Sequence, residues 1–139
     1  METNFFLAEA AQKGLINSSA KALYDLAVAQ GFEYWNVTMP ANYLTIGPAL
    51  FNPASPDALK LIITQKWIPN TINGYEGWIE YRRTGFPELK PVLASRNNGI
   101  YPVRMPYPQE EATLNGENYQ AAAAKTNNNS INAKVWWDN

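Results

Sequence analysis

The 139-residue chain contains no cysteine and no histidine. Without cysteine, these residues hold no disulfide, no thiolate nucleophile, no lipid-attachment residue and no zinc–thiolate site. Without histidine, the Ser–His and Cys–His nucleophile pairs are excluded and the commonest general base is gone. Any catalysis has to rest on carboxylates, tyrosine or lysine, so the chain reads as a non-enzyme with no cofactor and no metal. Charge is sparse and balanced, 11 Lys+Arg against 12 Asp+Glu. That leaves no electrostatic footprint for nucleic acid or for an anionic membrane surface. No apolar run approaches the ~20 residues that span a bilayer. Met1-Glu2-Thr3-Asn4 leads straight into a helical pattern, without the charged stretch, apolar run and cleavage site of an export signal. Read alone, that opening points to the cytoplasm.

What is present describes a folded, mainly helical chain. Hydrophobic residues make up 46% of the sequence, enough for a core and too many for a disordered segment. The spacing predicts a helix over 5–13, with Asn4 as N-cap, Phe5, Leu7, Ala8 and Ala11 as its apolar face, and Gly14 as its stop. Ser18 or Ser19 caps a second helix from about Ala20 to Tyr34, on which Leu23, Tyr24, Ala27 and Val28 recur at helical spacing. Gly31 inside it weakens the helix locally by ~1 kcal/mol. Small residues at the contact (Ala8, Ala11, Ala20, Ala27) make 5–35 a tetratricopeptide-like hairpin. A lone hairpin of that kind needs neighbours to bury its faces. Its open face (Phe5, Phe6, Leu23, Leu26) is therefore expected to support a homodimer.

Residues 36–55 form a long connection broken by Pro40, Gly47, Pro48 and Pro53. Loops of this length generally carry function or pack on something large. A helix follows with Ser55 as cap and Pro56 in its first turn, and Pro69 ends it. Another runs from about Tyr75 to Thr84, with Gly85 as its stop. From 86 to 139 the chain is rich in proline and turn residues, with short strands expected around 92–95 and 100–104 and helices over 109–115 and 116–125.

Few constellations carry chemistry. Tyr75, Trp78, Ile79 and Arg82 share one helix face, which reads as a core stripe with Arg82 over Trp78 in preference to a sugar-stacking platform. Arg82, Arg83 and Arg104 read as structural, satisfying loop carbonyls or pairing with Glu80 or Glu110. Glu76 with Glu80, and Glu110 with Glu111, are the close carboxylate pairs. A glycosidase needs two acids facing each other across ~5–10 Å, and neither pair is so placed; both read as solvated faces or caps. Trp35, Tyr34 and Tyr43 flank the long connection beside Asn36, Asn42 and Asn52. Aromatic faces with amides suit a neutral carbohydrate, and Trp35, Tyr43 and Asn42 are the candidate ligand residues.

Three blocks, with three supporting pieces, carry a resemblance. They are Gly77-Trp78-Ile79-Glu80-Tyr81-Arg82-Arg83-Thr84-Gly85-Phe86-Pro87, then Arg104-Met105-Pro106-Tyr107-Pro108-Gln109-Glu110-Glu111 with Asn115 and Asn118-Tyr119, and Lys134-Val135-Trp136-Trp137-Asp138. Supporting pieces are Phe6-Leu7-Ala8-Glu9-Ala10-Ala11, Phe32-Glu33-Tyr34-Trp35 and Ile62-Ile63-Thr64-Gln65-Lys66-Trp67-Ile68. In order and spacing they resemble the C-terminal third of SusD/RagB-type proteins, the surface lipoproteins with which Bacteroidetes capture glycans and other nutrients. The resemblance implies one fragment of a SusD-like domain over 1–139: a hairpin at 5–35, helices at 55–85, and an irregular tail at 86–139 with at most short β pairs. It also implies non-catalytic capture of an oligosaccharide or other nutrient, a SusC-like TonB-dependent transporter as partner, and a lipid anchor in the full-length parent at the outer membrane. The alternative class is a free-standing helical-repeat adaptor that binds a protein partner.

Overall fold

A computed structural model describes residues 1–138. The chain forms two compact units, Met1–Tyr81 and Arg82–Asn139. The first carries α1 (Glu2–Gln12), α2 (Ala20–Tyr34), α3 (Ala58–Trp67) and most of α4 (Gly74–Thr84). The second carries α5 (Gln109–Leu114) and α6 (Gly116–Ala124). Among the described residues there is no β-strand, and the chain is mainly α as its periodicity predicts.

In the first unit the helix signals act at the expected places, with local corrections. Gly14 ends α1 in the left-handed region (φ 71°), and the Gly14 and Leu15 N–H groups close back onto the Ala11 and Ala10 carbonyls. That double closure satisfies carbonyls a helix end leaves open. Ser19 caps α2, its Oγ accepting from the Ala22 N–H at 3.2 Å. Asn4 is not the N-cap of α1: the helix starts at Glu2, and the Asn4 amide instead donates to Gln30 of α2 at 2.8 Å. Likewise α3 starts at Ala58, after Ser55-Pro56-Asp57 has formed a turn in which the Ala58 N–H reaches the Ser55 carbonyl.

The core of this unit lies between α1, α2 and α3. Phe5, Ala8, Ala20, Tyr24, Ala27, Val28, Ala58 and Ile62 are buried in it, and the small side chains let the helix axes approach closely. The long connection completes it. Phe51 stacks on Tyr24 with ring centroids 4.7 Å apart, and the Tyr24 hydroxyl donates to the Ala49 carbonyl at 2.8 Å. The face expected to be open is therefore partly filled: Phe5 is buried and Leu23 half-buried, leaving Phe6 and Leu26 exposed. The homodimer face predicted from Phe5, Phe6, Leu23 and Leu26 thus presents Phe6 and Leu26 to solvent.

A buried ion pair fastens α4 to α3. Lys66 Nζ lies 2.7 Å from Glu80 Oε1, and both side chains are almost wholly buried. Glu2 Oε1 is 3.4 Å from the same ammonium, which also sits 3.6 Å over the Phe6 ring. Glu80 is thus no solvated face. Its burial turns α4 so that Tyr75 and Ile79 of the expected apolar stripe are exposed. Gly77 has a separate reason: a Cβ there would lie 2.9 Å from the Trp67 indole nitrogen, so only glycine lets that ring pack against the helix backbone.

The second unit is held differently. The Arg82 guanidinium lies 4.2 Å over the Trp137 ring and pairs with Asp138 at 3.3 Å; the acid expected for it was Glu80 or Glu110. Arg104 donates to Asn129 Oδ1 and the Ser130 carbonyl at 3.0 and 3.2 Å, satisfying a loop carbonyl as expected, with no pairing to Glu110. Strands at 92–95 and 100–104 do not form. Ala94 takes a left-handed φ of 56°, which breaks the first segment, and the Val103 and Arg104 N–H groups both turn onto the one Ile131 carbonyl in place of a ladder.

Candidate functional site

The C-terminal end of α2 builds a cleft. Trp35 follows the helix, and Asn36 adopts the left-handed region (φ 52°), a conformation asparagine tolerates better than most residues. The Asn36 and Val37 N–H groups then close onto the Glu33 and Phe32 carbonyls. This turn brings Val37 back beside Phe32, and both side chains line a concavity of about 210 Å³ with Trp35, Tyr43, Ile68 and Pro69. Val28, Gly31 and Gln65 complete its lining. Gly31 leaves the helix open there: a Cβ would meet Pro69 Cγ at 3.4 Å.

The polar groups in the wall are mostly spent on the fold. Trp35 Nε1 donates to the Pro69 carbonyl at 3.1 Å, which fixes the indole against the end of α3. The Tyr43 hydroxyl donates to Gln65 Oε1 at 3.1 Å, and the Tyr43 ring meets Phe32 edge-on at 5.0 Å between centroids. Gln65 is only 8% exposed. The cleft is therefore an aromatic and aliphatic recess with one buried amide in its wall.

Of the three residues singled out by sequence, Trp35 and Tyr43 come together here. Asn42 is exposed, does not line the cleft, and uses its carbonyl to accept from the Thr45 and Ile46 N–H groups. Gln65, Phe32 and Pro69 were not singled out. The available signal for Gln65 was a polar residue amid Ile62, Ile63 and Ile68, where burial demands a partner. A second concavity, about 430 Å³, is lined in part by Asn52, Ser55, Asp57, Lys60 and Thr64. Its Asn52 and Ser55 side chains accept from the backbone of their own loop. Among the described residues no group of three His, Cys, Asp or Glu side chains could hold a metal ion, and no helix is long and apolar enough to cross a membrane.

The described residues form helices with an aromatic recess, and the carboxylates Glu80 and Glu111 are tied to Lys66 and Asn115. A family model described as SusD-like, starch-binding and associating with the outer membrane matches residues 1–108. The chain belongs to this SusD-like family. Among solved structures it is similar to a chitin-binding protein, with 32% identity and a TM-score of 0.82, over 99% of this chain and 32% of the other. A SusD homologue from Bacteroides ovatus is 31% identical with a TM-score of 0.82, over 99% of this chain and 36% of that one. A SusD-like protein of Bacteroidetes AC2a is 29% identical with a TM-score of 0.85, over 99% of this chain and 29% of that one. The chain thus spans about a third of the length of the relatives it matches. Among curated proteins none matches it.

Proposed function

We propose that this chain is part of a non-catalytic glycan-binding protein at the cell surface, and that the Trp35–Tyr43 cleft is its contribution to ligand contact. The observation that carries the reading is the match of 99% of the chain to a chitin-binding protein, joined to the family's starch-binding description. The cleft supplies fitting chemistry: an indole and a phenol ring offer apolar faces to a pyranose, and Asn42 stands next to Tyr43 as an exposed amide. In the full-length parent the protein is lipid-anchored at the outer membrane and works with a SusC-like, TonB-dependent transporter.

The test is a glycan array that includes starch and chitin oligosaccharides, run on this chain and on a version extended to the family's full length. Binding by both, weakened at least about tenfold by Trp35→Ala, supports the cleft; about 1.4 kcal/mol of lost contact suffices for that factor. Binding by the longer form alone places ligand contact outside these residues. Co-purification of the full-length form with an outer-membrane transporter tests the partnership.

A further inference from the structure

We infer that Asn98 is a site of spontaneous modification, where the side chain cyclises onto the Gly99 nitrogen and reopens as aspartate or isoaspartate. The inference goes beyond the cleft and does not depend on its ligand. In the first step the Gly99 nitrogen bonds to Asn98 Cγ and gives its proton to solvent. The Cγ–Nδ2 bond breaks, and the amide leaves as ammonia. Water then opens the five-membered imide at either carbonyl. One opening gives aspartate; the other gives isoaspartate, in which the main chain runs through the β-carbon. No atom changes its redox state.

Sequence alone does not select Asn98, because Asn73-Gly74 and Asn115-Gly116 offer the same pair. The backbone selects it. Closing the ring requires the Asn–Gly peptide to turn until its nitrogen faces Cγ. At Asn73 that peptide is held, since the Asn73 carbonyl accepts from the Glu76 and Gly77 N–H groups at the start of α4. At Asn115 the carbonyl accepts from the Tyr119 N–H. The Asn115 side chain is also tied at both ends, donating to Glu111 and accepting from Asn118. At Asn98-Gly99 the Asn98 side chain, its carbonyl and the Gly99 N–H have no hydrogen-bond partner among the described residues, and Asn98 is exposed to water.

The turn itself favours closure. Asn98 and Gly99 both have positive φ, 54° and 76°, and the Ile100 N–H donates to the Asn97 carbonyl at 2.9 Å, which makes a type I′ turn. Turning over its central peptide gives type II′, which keeps φ positive at the first central residue and moves its ψ to ~−120°. For an L residue that ψ brings the next nitrogen level with Cβ, as the imide ring requires. Glycine at the second position tolerates both signs of φ. The turn's ends stay clamped throughout by Asn97, whose amide donates to the Ile100 carbonyl and to Asn132. An isoaspartate at 98 lengthens the main chain by one carbon, so the Asn97–Ile100 closure no longer fits.

The test incubates the unaltered chain in mildly alkaline buffer and maps it by peptide mass spectrometry, with fragmentation that separates isoaspartate from aspartate. A parallel sample is kept in guanidinium chloride. In the folded chain Asn98 is expected to convert at least about tenfold faster than Asn73 or Asn115, whose peptides first give up hydrogen bonds. In denaturant the three should convert at similar rates. Asn73 or Asn115 keeping pace in the folded chain overturns the assignment, as does a lead of Asn98 that persists in denaturant. Aspartate without isoaspartate at Asn98 overturns the cyclic route, because direct hydrolysis gives aspartate alone. An Asn98 still intact in the folded chain when the denatured chain has reacted overturns the proposal outright. The isoaspartyl form, separated on an anion exchanger by its added charge, should lose amide protection at Ile100 while the Phe5–Tyr24–Ile62 core keeps its own. Unaltered protection at Ile100 overturns the loss of the turn.

Discussion

The two units of this chain are stabilised by different physics. In Met1–Tyr81, Tyr24, Phe5, Ile62 and Ile63 are fully buried, and helices converge on them. In the described part of Arg82–Asn139, Pro87, Arg104 and Ala123 are the buried positions, and side-chain amides replace the missing core. Asn129 Oδ1 accepts from Arg104 and from the Tyr107 N–H, while its amide nitrogen donates to the Tyr107 carbonyl. Asn97 and Asn132 donate to each other's carbonyl oxygens at 2.7 and 2.9 Å. Asn127, Asn128 and Asn129 all take left-handed φ values, which asparagine accepts at low cost because its short polar side chain bonds locally. These asparagines thus serve the unit's own turns and side chains. A hydrophobic core couples many residues at once, whereas a polar scaffold of this kind is a set of local ties.

The largest expected effect lies at the buried pair of the first unit. Lys66→Ala leaves the Glu80 carboxylate without its ammonium, and breaking a buried pair from one side costs about 3–5 kcal/mol. Thermal unfolding followed by circular dichroism should show a large drop in Tm. Lys66→Met combined with Glu80→Leu should recover most of it, since an apolar pair of similar volume carries no desolvation penalty. A double variant as unstable as the single one would show that the pair contributes more than it costs to desolvate.

Next comes Tyr24, where core and connection meet. Tyr24→Phe keeps the ring stack on Phe51 but strips the donor from the buried Ala49 carbonyl, an expected loss of about 1–3 kcal/mol. Burial, with Tyr43 and Asp25 adding to it, pushes the Tyr24 hydroxyl well above its ordinary 10.0. The folded state therefore holds this proton where the unfolded state releases it. The contribution is intact below about pH 10 and is lost as pH rises beyond it. Denaturation curves should weaken steeply in that alkaline range for the parent chain and less so for Tyr24→Phe; parallel slopes would place the sensitivity elsewhere.

A smaller and more local effect is expected in the second unit. Asn129→Ala removes the ties to Arg104 and Tyr107 and puts a Cβ-bearing residue without a polar side chain in the left-handed region, together about 1–2 kcal/mol. Amide exchange should quicken around 103–107 and 129–131 while protection of the Phe5–Tyr24–Ile62 core stays as it was. Faster exchange in that core as well would mean the two units unfold together.

The difference between the units also explains what could be read from sequence. Helix punctuation is local, so Gly14, Ser19 and Pro69 announce their boundaries through one residue's own chemistry. Glu80 could not be read this way: on a helical wheel a carboxylate beside Glu76 looks solvated, and its partner Lys66 belongs to another helix. Arg82 has the same difficulty, since Trp137 and Asp138 are near it only in the folded chain. The absence of strands at 92–95 depends on Ala94 adopting a backbone region that alanine rarely visits, and no propensity predicts that. At the site, Trp35 and Tyr43 stood out as aromatics before and within a long connection. The wall they face comes from Gln65, Ile68 and Pro69 at the end of α3, a juxtaposition set by tertiary packing. Asn42 has the right chemistry and the adjacent sequence position, yet it lies outside the cleft.

The smallest effect sets the sharpest version of the comparison. Ser19→Ala removes the Oγ that accepts from the Ala22 N–H, a loss of typically ~1 kcal/mol, close to that expected at Asn129. The two should nevertheless differ in kind. α2 carries Tyr24, Ala27 and Val28 into the shared core, so weakening its first turn lowers the stability of the whole cooperative unit. The most protected amides of α1, α2 and α3 should then lose protection by a common factor of about five, the equivalent of ~1 kcal/mol. The cleft lies at the other end of the helix, held by the Asn36 turn and the Trp35–Pro69 bond, so the glycan contact proposed for it should not change. Loss of protection confined to the first turn of α2 would show that the helix frays independently, and that Met1–Tyr81, like its companion, is built of local ties.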